Sequence, residues 1–340
     1  MRVLAQNEEK VKLDLINQKL LCLLSQNARF SYSTLAKQVK LSREAVKQRI
    51  ERLLEKKVLL GFQTLISPEK LDLASFHLFL QLDNPQQAEE IAINLTADQD
   101  VNALIRYQGQ FDFEVAYLLK DLPSLNNKIK ELKHARNYQL CFILDTIVSK
   151  TYPQCMYDFT LPEFQVSKDG SFHSQFKSVK EEKLKLDEFD LKILQALAKN
   201  ARISTISLSQ KLNLSVDAVI YRIKKLISAG IIREFRPTIN YAALGYSVYC
   251  LFFRFKNFNK EKEAKFKQFV RQHKHFLWSV SCLGPYNNIS YLIVKDTFEF
   301  HQTINEIREE FQDILDFYES LLSFSEYKYT YFPEKLVHKS

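Results

Sequence analysis

Leu41-Ser42-Arg43-Glu44-Ala45-Val46-Lys47-Gln48-Arg49-Ile50 decides the fold, because the chain contains it twice. Leu214-Ser215-Val216-Asp217-Ala218-Val219-Ile220-Tyr221-Arg222-Ile223 repeats it with the same residue at six of ten places. Ser42 precedes a run whose apolar positions, Ala45, Val46, Ile50, Leu53 and Leu54, follow helical spacing, so it reads as an N-cap. The opposite face carries Arg43, Lys47, Gln48, Arg52 and Lys56. Upstream, Leu13, Ile16, Leu20, Leu23 and Leu24 predict a helix over 13–26, and Asn27-Ala28-Arg29 ends it. Ser31 caps a short helix with Leu35, Ala36 and Val39. Three short helices with a tight turn before the last make a helix-turn-helix, whose last helix enters the major groove. Arg and Gln suit that helix, since each bonds bidentately to guanine or adenine respectively. Residues 59–66, the turn 67–70 and a strand from Phe76 read as a wing.

The repeat extends outward from this stretch. Lys12-Leu13-Asp14 returns as Lys185-Leu186-Asp187, and Asn27-Ala28-Arg29 as Asn200-Ala201-Arg202. Gly109-Gln110-Phe111-Asp112 corresponds to Gly284-Pro285-Tyr286-Asn287. Such self-similarity implies a tandem duplication. The expected class is α+β, with a winged helix-turn-helix and a ferredoxin-like βαββαβ domain, the pair occurring twice. The expected boundaries are 10–66 and 73–150, a linker at 151–182, then 183–240 and 246–330. Each ferredoxin-like sheet leaves one face uncovered. Phe79, Phe111 and Phe113 are expected there in the first, and Phe252, Tyr286 and Tyr291 in the second. Faces of that kind pair with another sheet, so an intrachain pseudo-dimer is expected, able to enter a higher homo-oligomer.

Charge follows the same division. Residues 10–57 hold 12 Lys/Arg against 4 Asp/Glu, and residues 183–233 hold 10 against 4, whereas residues 73–150 are net acidic. Clustered cations fit a polyanion such as double-stranded DNA. The five cysteines are far apart in sequence, with no C-x-x-C pair, so no metal site is expected. With six glycines and no phosphate-binding fingerprint, no nucleotide cofactor is expected either. No apolar run is long enough for a membrane span and no signal sequence is evident, which gives a cytoplasmic expectation.

With these pieces assembled, the chain resembles the Lrp/AsnC, or feast/famine, regulators. Leu186-Asp187-Glu188-Phe189-Asp190-Leu191, Asn200-Ala201-Arg202-Ile203-Ser204 and Gly61-Phe62 leading to Pro68-Glu69-Lys70-Leu71 carry the likeness. The resemblance implies a sequence-specific transcription regulator, not an enzyme, whose DNA contacts fall on Ser42, Arg43, Lys47, Gln48, Arg49 and Arg52. In the second copy they fall on Ser215, Tyr221, Arg222, Lys224 and Lys225. It also implies a small amino-acid-like effector at the turns, Gly109, Phe111 and Asp112 with Gly284, Tyr286 and Asn287. Asn287 stands where an acidic residue is typical, which puts ammonium recognition there in question. Two other readings stand beside this one. Siroheme decarboxylases share the architecture and hold a tetrapyrrole with His and Arg. Of the seven histidines here only His273 and His275 are clustered, and they read as a solvated loop pair. An architectural, DNA-compacting protein would use phosphate contacts alone.

Overall fold

The computed structural model describes residues 2–5, 10–159, 184–333 and 336. In the first half the elements run β1 (Arg2–Val3), α1 (Leu15–Gln26), α2 (Tyr32–Val39), α3 (Arg43–Glu55), β2 (Leu59–Ile66), β3 (Ala74–Leu82), α4 (Ala88–Ala97), β4 (Val101–Gln108), β5 (Phe113–Leu119), α5 (Leu122–Glu131) and β6 (Ala135–Ser149). The second half repeats the order after β1. It runs α6 (Glu188–Lys199), α7 (Thr205–Leu212), α8 (Val216–Ser228), β7 (Ile232–Ile239), β8 (Ser247–Phe255), α9 (Lys260–Gln272), β9 (Phe276–Leu283), β10 (Asn288–Val294), α10 (Thr297–Glu310) and β11 (Leu315–Tyr329). The chain divides into two compact units, one of residues 1–12, 74–158 and 240–329, the other of residues 13–73, 159–239 and 330–340.

The second of these units contains both helix-turn-helix copies. Their helices start where short polar side chains meet apolar runs. Asp14, Ser31 and Ser42 accept from backbone N–H groups three residues on, as do Asp187, Ser204 and Ser215. Caps of this kind are worth about 1 kcal/mol each. The tight turn passes through left-handed residues at equivalent places, Lys40 with φ 56° and Asn213 with φ 53°. The wing differs from the expected strand-turn-strand pairing. β2 bonds not to β3 but to β7, antiparallel, with Thr64 opposite Phe235. Each half supplies one strand of a shared ribbon, in which Phe62, Thr64 and Ile66 of β2 and Ile232, Phe235 and Ile239 of β7 are buried. The contacts are reciprocal. Ala28 N–H donates to Phe235 O at 2.8 Å and Ala201 N–H to Phe62 O at 2.9 Å.

In the other unit both ferredoxin-like motifs share one closed sheet. Its strands run β11-β4-β5-β3-β6-β9-β10-β8, and β8 bonds back to β11. Closure comes from two 15-residue strands. β6 pairs with β3 through its first half and with β9 through its second, and β11 does the same with β8 and then β4. Closing the ring removes edges that would otherwise template aggregation. The sequence did not announce β1, which pairs with β11 at Arg2 opposite Glu326.

Helices cover the outside of this sheet in two separate clusters. One is built on Leu78, Leu80, Phe113 and Val115 with Ile91 and Leu125, the other on Leu251, Phe253 and Leu292 with Phe266 and Phe311. The inner faces meet over aromatic rings. Phe79 and Phe252 lie edge to face at 4.7 Å, with Phe111 and Tyr286 beside them. An edge-to-face pair adds about 0.5–1.5 kcal/mol beyond area burial. Phe113 departs from expectation and packs under the helices. Phe111 belongs to the turn, so strand alternation starts only at Phe113 and places it with Val115 and Tyr117 on the outer face.

The expected linker is also shorter than its composition suggests. Tyr152 and Met156 are buried, Tyr241 donates its hydroxyl to Thr151 O at 2.8 Å, and Tyr246 reaches Cys155 O at 3.3 Å. Residues 160–183 lie outside the described residues.

Candidate nucleic-acid interface

On α3 the buried residues are Val46, Ile50 and Leu53. This fixes the rotation of the helix, so Arg43, Lys47, Gln48 and Arg52 are exposed. Lys47 faces Glu51 at 3.9 Å, a loose i,i+4 pair that leaves the ammonium in solvent. Ser42 uses its hydroxyl oxygen as a cap, accepting from Ala45 N–H at 3.1 Å, and Ser215 does the same for Ala218. On α8, Val219, Ile223 and Leu226 are buried and Tyr221 is 68% exposed. Lys224 is exposed and Lys225 half-buried.

Arg49 and Arg222 do not stand with the others. Arg49 donates to Asp14 at 2.6 Å and to Asn17 at 3.0 Å. Arg222 donates to both oxygens of Asp187, at 2.7 and 2.9 Å, and to Asp190 at 2.7 Å, and lies over the Phe189 ring. Each ties the last helix of its motif to the first. In both copies the expected DNA-contacting arginine thus also braces the motif. Arg222→Ala is expected to lose about 2 kcal/mol, because the buried Asp190 would lose its charged partner and keep only the Asp187 N–H of its capping box. Arg49→Ala should lose less than about 1 kcal/mol, since the Asp14 side chain is 52% exposed. Neither should change the salt dependence of DNA binding; a shallower slope for Arg222→Ala in a fluorescence titration would keep it among the phosphate contacts.

Two further arginines in this unit differ from both. Arg29 donates to the carbonyls of Ala201 and Ile203 at 2.6 and 3.0 Å, and Arg202 donates back to Ala28 and Phe30. Burial depresses both pKa values, and for Arg29 the charge of Arg202 depresses it further. The sequence offered a signal for them, the recurrence of Asn-Ala-Arg, but nothing to say what they face.

In the ferredoxin-like unit the six expected effector residues differ in exposure: Gly109 and Gly284 are exposed, and Asp112 and Asn287 are half-buried. Phe111 and Tyr286 are buried. Asp112 accepts from Leu82 N–H at 2.8 Å and Asn287 from Phe255 N–H at 2.7 Å. These are equivalent bonds that fasten the turn to the next strand. An amide oxygen accepts this bond as a carboxylate does, so Asn287 keeps the turn fastened. Gly109 and Gly284 have φ of 145° and 154°, and each faces the long strand of the other copy, at Leu321 and at Leu140 and Cys141.

Polar groups the sequence did not single out lie close by. Glu319 accepts from Tyr286 at 3.3 Å, and the Gln110 amide, turned to donate, reaches its two oxygens at 2.7 and 2.8 Å. Burial raises the Glu319 pKa, against the Tyr286 bond. Glu114 is buried between His77 Nδ1 at 2.5 Å and the hydroxyls of Tyr107 and Tyr291. Burial would raise its pKa, but these three bonds outweigh it and hold the carboxyl below its ordinary value. Cys141 and Cys282, distant in sequence, approach one another where β6 meets β9, and the side-chain bond with Cys282, followed by burial, raises the pKa of the Cys141 thiol. The histidine pair is not solvated: His275 is buried and bonds Ile293 O through Nδ1, and His273 bonds Glu306 at 2.9 Å. No group of three metal-ligating side chains occurs among the described residues, nor does a helix long and apolar enough to cross a membrane.

Comparison with known proteins agrees with this geometry. Residues 13–54 match the AsnC-type helix-turn-helix domain, and residues 186–233 match a winged helix-turn-helix DNA-binding domain. The HTH-type transcriptional regulator Ptr1 of Methanocaldococcus jannaschii is 29% identical over 119 residues, 35% of this chain and 80% of that protein. An uncharacterized HTH-type transcriptional regulator of Pyrococcus furiosus is 30% identical over 106 residues, 31% of this chain and 70% of that protein. Among solved structures, the siroheme decarboxylase NirDL aligns over 94% of both chains with a TM-score of 0.61 at 14% identity, a likeness of fold. Two helix-turn-helix motifs with cationic helices, carried with ferredoxin-like motifs, define a DNA-binding transcription regulator. The chain belongs to the Lrp/AsnC family.

Proposed function

We propose that this regulator binds its operator as an intrachain pseudo-dimer whose two recognition helices do unequal work. The observation that carries the reading is the chemistry at equivalent places on the two exposed faces. α3 presents Lys47 and Gln48 where α8 presents Ile220 and Tyr221. A homodimer must offer two identical helices and so favours palindromes. Two copies in one chain are free of that constraint. Gln48 bonds a base edge, assisted by Arg43, Lys47 and Arg52. Tyr221 offers stacking or apolar contact, and Lys224 and Lys225 offer charge to phosphates.

Binding selection from a random library should return one well-defined half-site and one weak half-site. Gln48→Ala should relax preference in the defined half by about 1–3 kcal/mol for a bidentate contact. Tyr221→Ala should weaken all sequences alike. A symmetric palindrome would overturn the reading, and the absence of any preferred sequence would favour DNA compaction.

A small amino-acid-like effector belongs to the same reading. Because the side chains of Phe111, Asp112, Tyr286 and Asn287 are engaged, the ammonium of such a ligand would meet Glu319 beside Gln110. The protein would work in the cytoplasm, where its DNA is, and could assemble into a higher homo-oligomer.

A tetrapyrrole enzyme is the second reading, favoured by one observation, the whole-length likeness to NirDL. Titration with iron uroporphyrin should leave the porphyrin absorbance unshifted; a saturable shift would support the enzyme.

A further inference from the structure

Within the helix-turn-helix unit, a cavity of about 230 Å³ opens at the start of α2, lined by Arg29, Ser31, Tyr32, Ser33, Arg43 and Arg202, with Phe30 behind. We propose that this cavity is a phosphoryl-binding pocket, in which guanidinium groups from both halves of the chain and the first turn of α2 hold one phosphate group. The inference deepens the DNA-binding reading in one of its two forms, in which a backbone phosphate of the operator fills the pocket. In the other form a free phosphorylated small molecule fills it.

Three independent features converge on an anion. The first is unbalanced charge. Arg49, Arg222, Arg233 and Arg236 in the same unit each have a carboxylate partner. Among the described residues Arg29, Arg43 and Arg202 have none. Arg29 and Arg202 are nevertheless part-buried, and cations held close together out of water without a counter-charge are costly. Their bonds to carbonyls use only NH1 of each guanidinium, which has five N–H donors in all; Arg202 also bonds the Tyr32 side chain and lies over the Tyr32 and Phe62 rings, and Arg29 lies over Phe235.

The second feature is backbone. Ser31 caps α2 through Thr34 N–H at 3.0 Å, and among the described residues the N–H groups of Tyr32 and Ser33 have no acceptor. A helix of this length directs such groups and its positive end at an anion.

The third feature is asymmetry. The second copy has Val216 at the place of Arg43 and Ile206 at the place of Ser33. The pocket as lined here therefore belongs to the first copy, completed by Arg202 from the second. The same drift that separates the recognition faces separates these sites.

The test uses the full-length chain and the double variant Arg43→Val with Ser33→Ile. Both substitutions install the second copy's own residues, and neither side chain makes a hydrogen bond among the described residues. Inorganic phosphate is titrated by calorimetry, and DNA affinity is measured against salt. The wild-type chain should bind phosphate, and the variant should lose about tenfold, the worth of one charge-assisted contact. If DNA supplies the group, phosphate and DNA compete and the variant's log–log salt slope becomes shallower by about one. If a free phosphorylated molecule supplies it, phosphate binds equally with DNA saturating. The proposal is overturned if the variant matches the wild-type chain in phosphate affinity, whatever its salt slope, because Arg43 also stands on the recognition face of α3. A chain that binds phosphate in this way but no DNA would end the DNA reading and keep the pocket.

Discussion

Replacing Glu114 by alanine should lower the stability of the ferredoxin-like unit by about 3–5 kcal/mol, the cost of breaking a buried ionic network from one side. The carboxylate accepts from three buried donors, His77, Tyr107 and Tyr291. Tyr291 comes from the second half of the chain, so the network fastens the two motifs across their inner faces. Its surroundings are closed by rings, with His77 stacked on Trp278 at 5.9 Å and Trp278 on Tyr291 at 5.2 Å. Removing the acceptor would leave the donors turned toward one another in a dry space. Glu114→Gln should lose less, because one oxygen remains. The sign of the pH dependence follows from the depressed pKa. Folding keeps Glu114 ionised to lower pH than the unfolded chain does. Its contribution is complete above the unfolded carboxyl value, about 4.3, and fades as pH falls through the folded one. Urea denaturation of wild-type and variant chains at pH 7 and pH 4 measures both effects. A loss below about 1 kcal/mol at pH 7, the net worth of one ordinary hydrogen bond, would show that the network does not hold the unit together.

Gly284→Ala should cost about 2–4 kcal/mol, through backbone strain and overpacking at once. A Cβ there would stand 2.5 Å from the Leu140 carbonyl oxygen and 3.3 Å from Cys141 Cα, both backbone atoms of β6. A side chain could turn away, but a paired strand cannot. Gly61 provides the control. Its φ of 149° is close to the 154° of Gly284, yet a Cβ there meets nothing within 4 Å. Gly61→Ala therefore reports the conformational part alone, and the difference between the two variants in thermal or urea unfolding reports the strand contact. Equal losses would remove the contact from the account.

How much of this was legible beforehand differs element by element. The α3 and α8 faces could be read because local sequence sets a helix's rotation: buried Val46 and Ile50 leave Lys47 and Gln48 outside whatever else happens. The βαββαβ order could be read for the same reason, from period and turn residues over short spans. The bond of Arg49 to Asp14 was not legible because a cation on a helix looks the same whether its partner is a phosphate or a carboxylate 35 residues earlier. Phe113 was misread because one turn residue shifts strand parity.

The sequence by itself determined the elements, the duplication of their order and the chemistry of the recognition faces, since each depends on residues within a few turns of one another. Only the tertiary structure decided which strand pairs with which. β2 finds β7, and β6 and β11 each cross to the other motif, because the apolar surfaces they bury are completed by residues more than a hundred positions away. The same long-range pairing assembled the Glu114 network and the pocket of Arg29, Arg43 and Arg202. Their members come from both halves of the chain, and no local pattern of charge or hydropathy records that they meet.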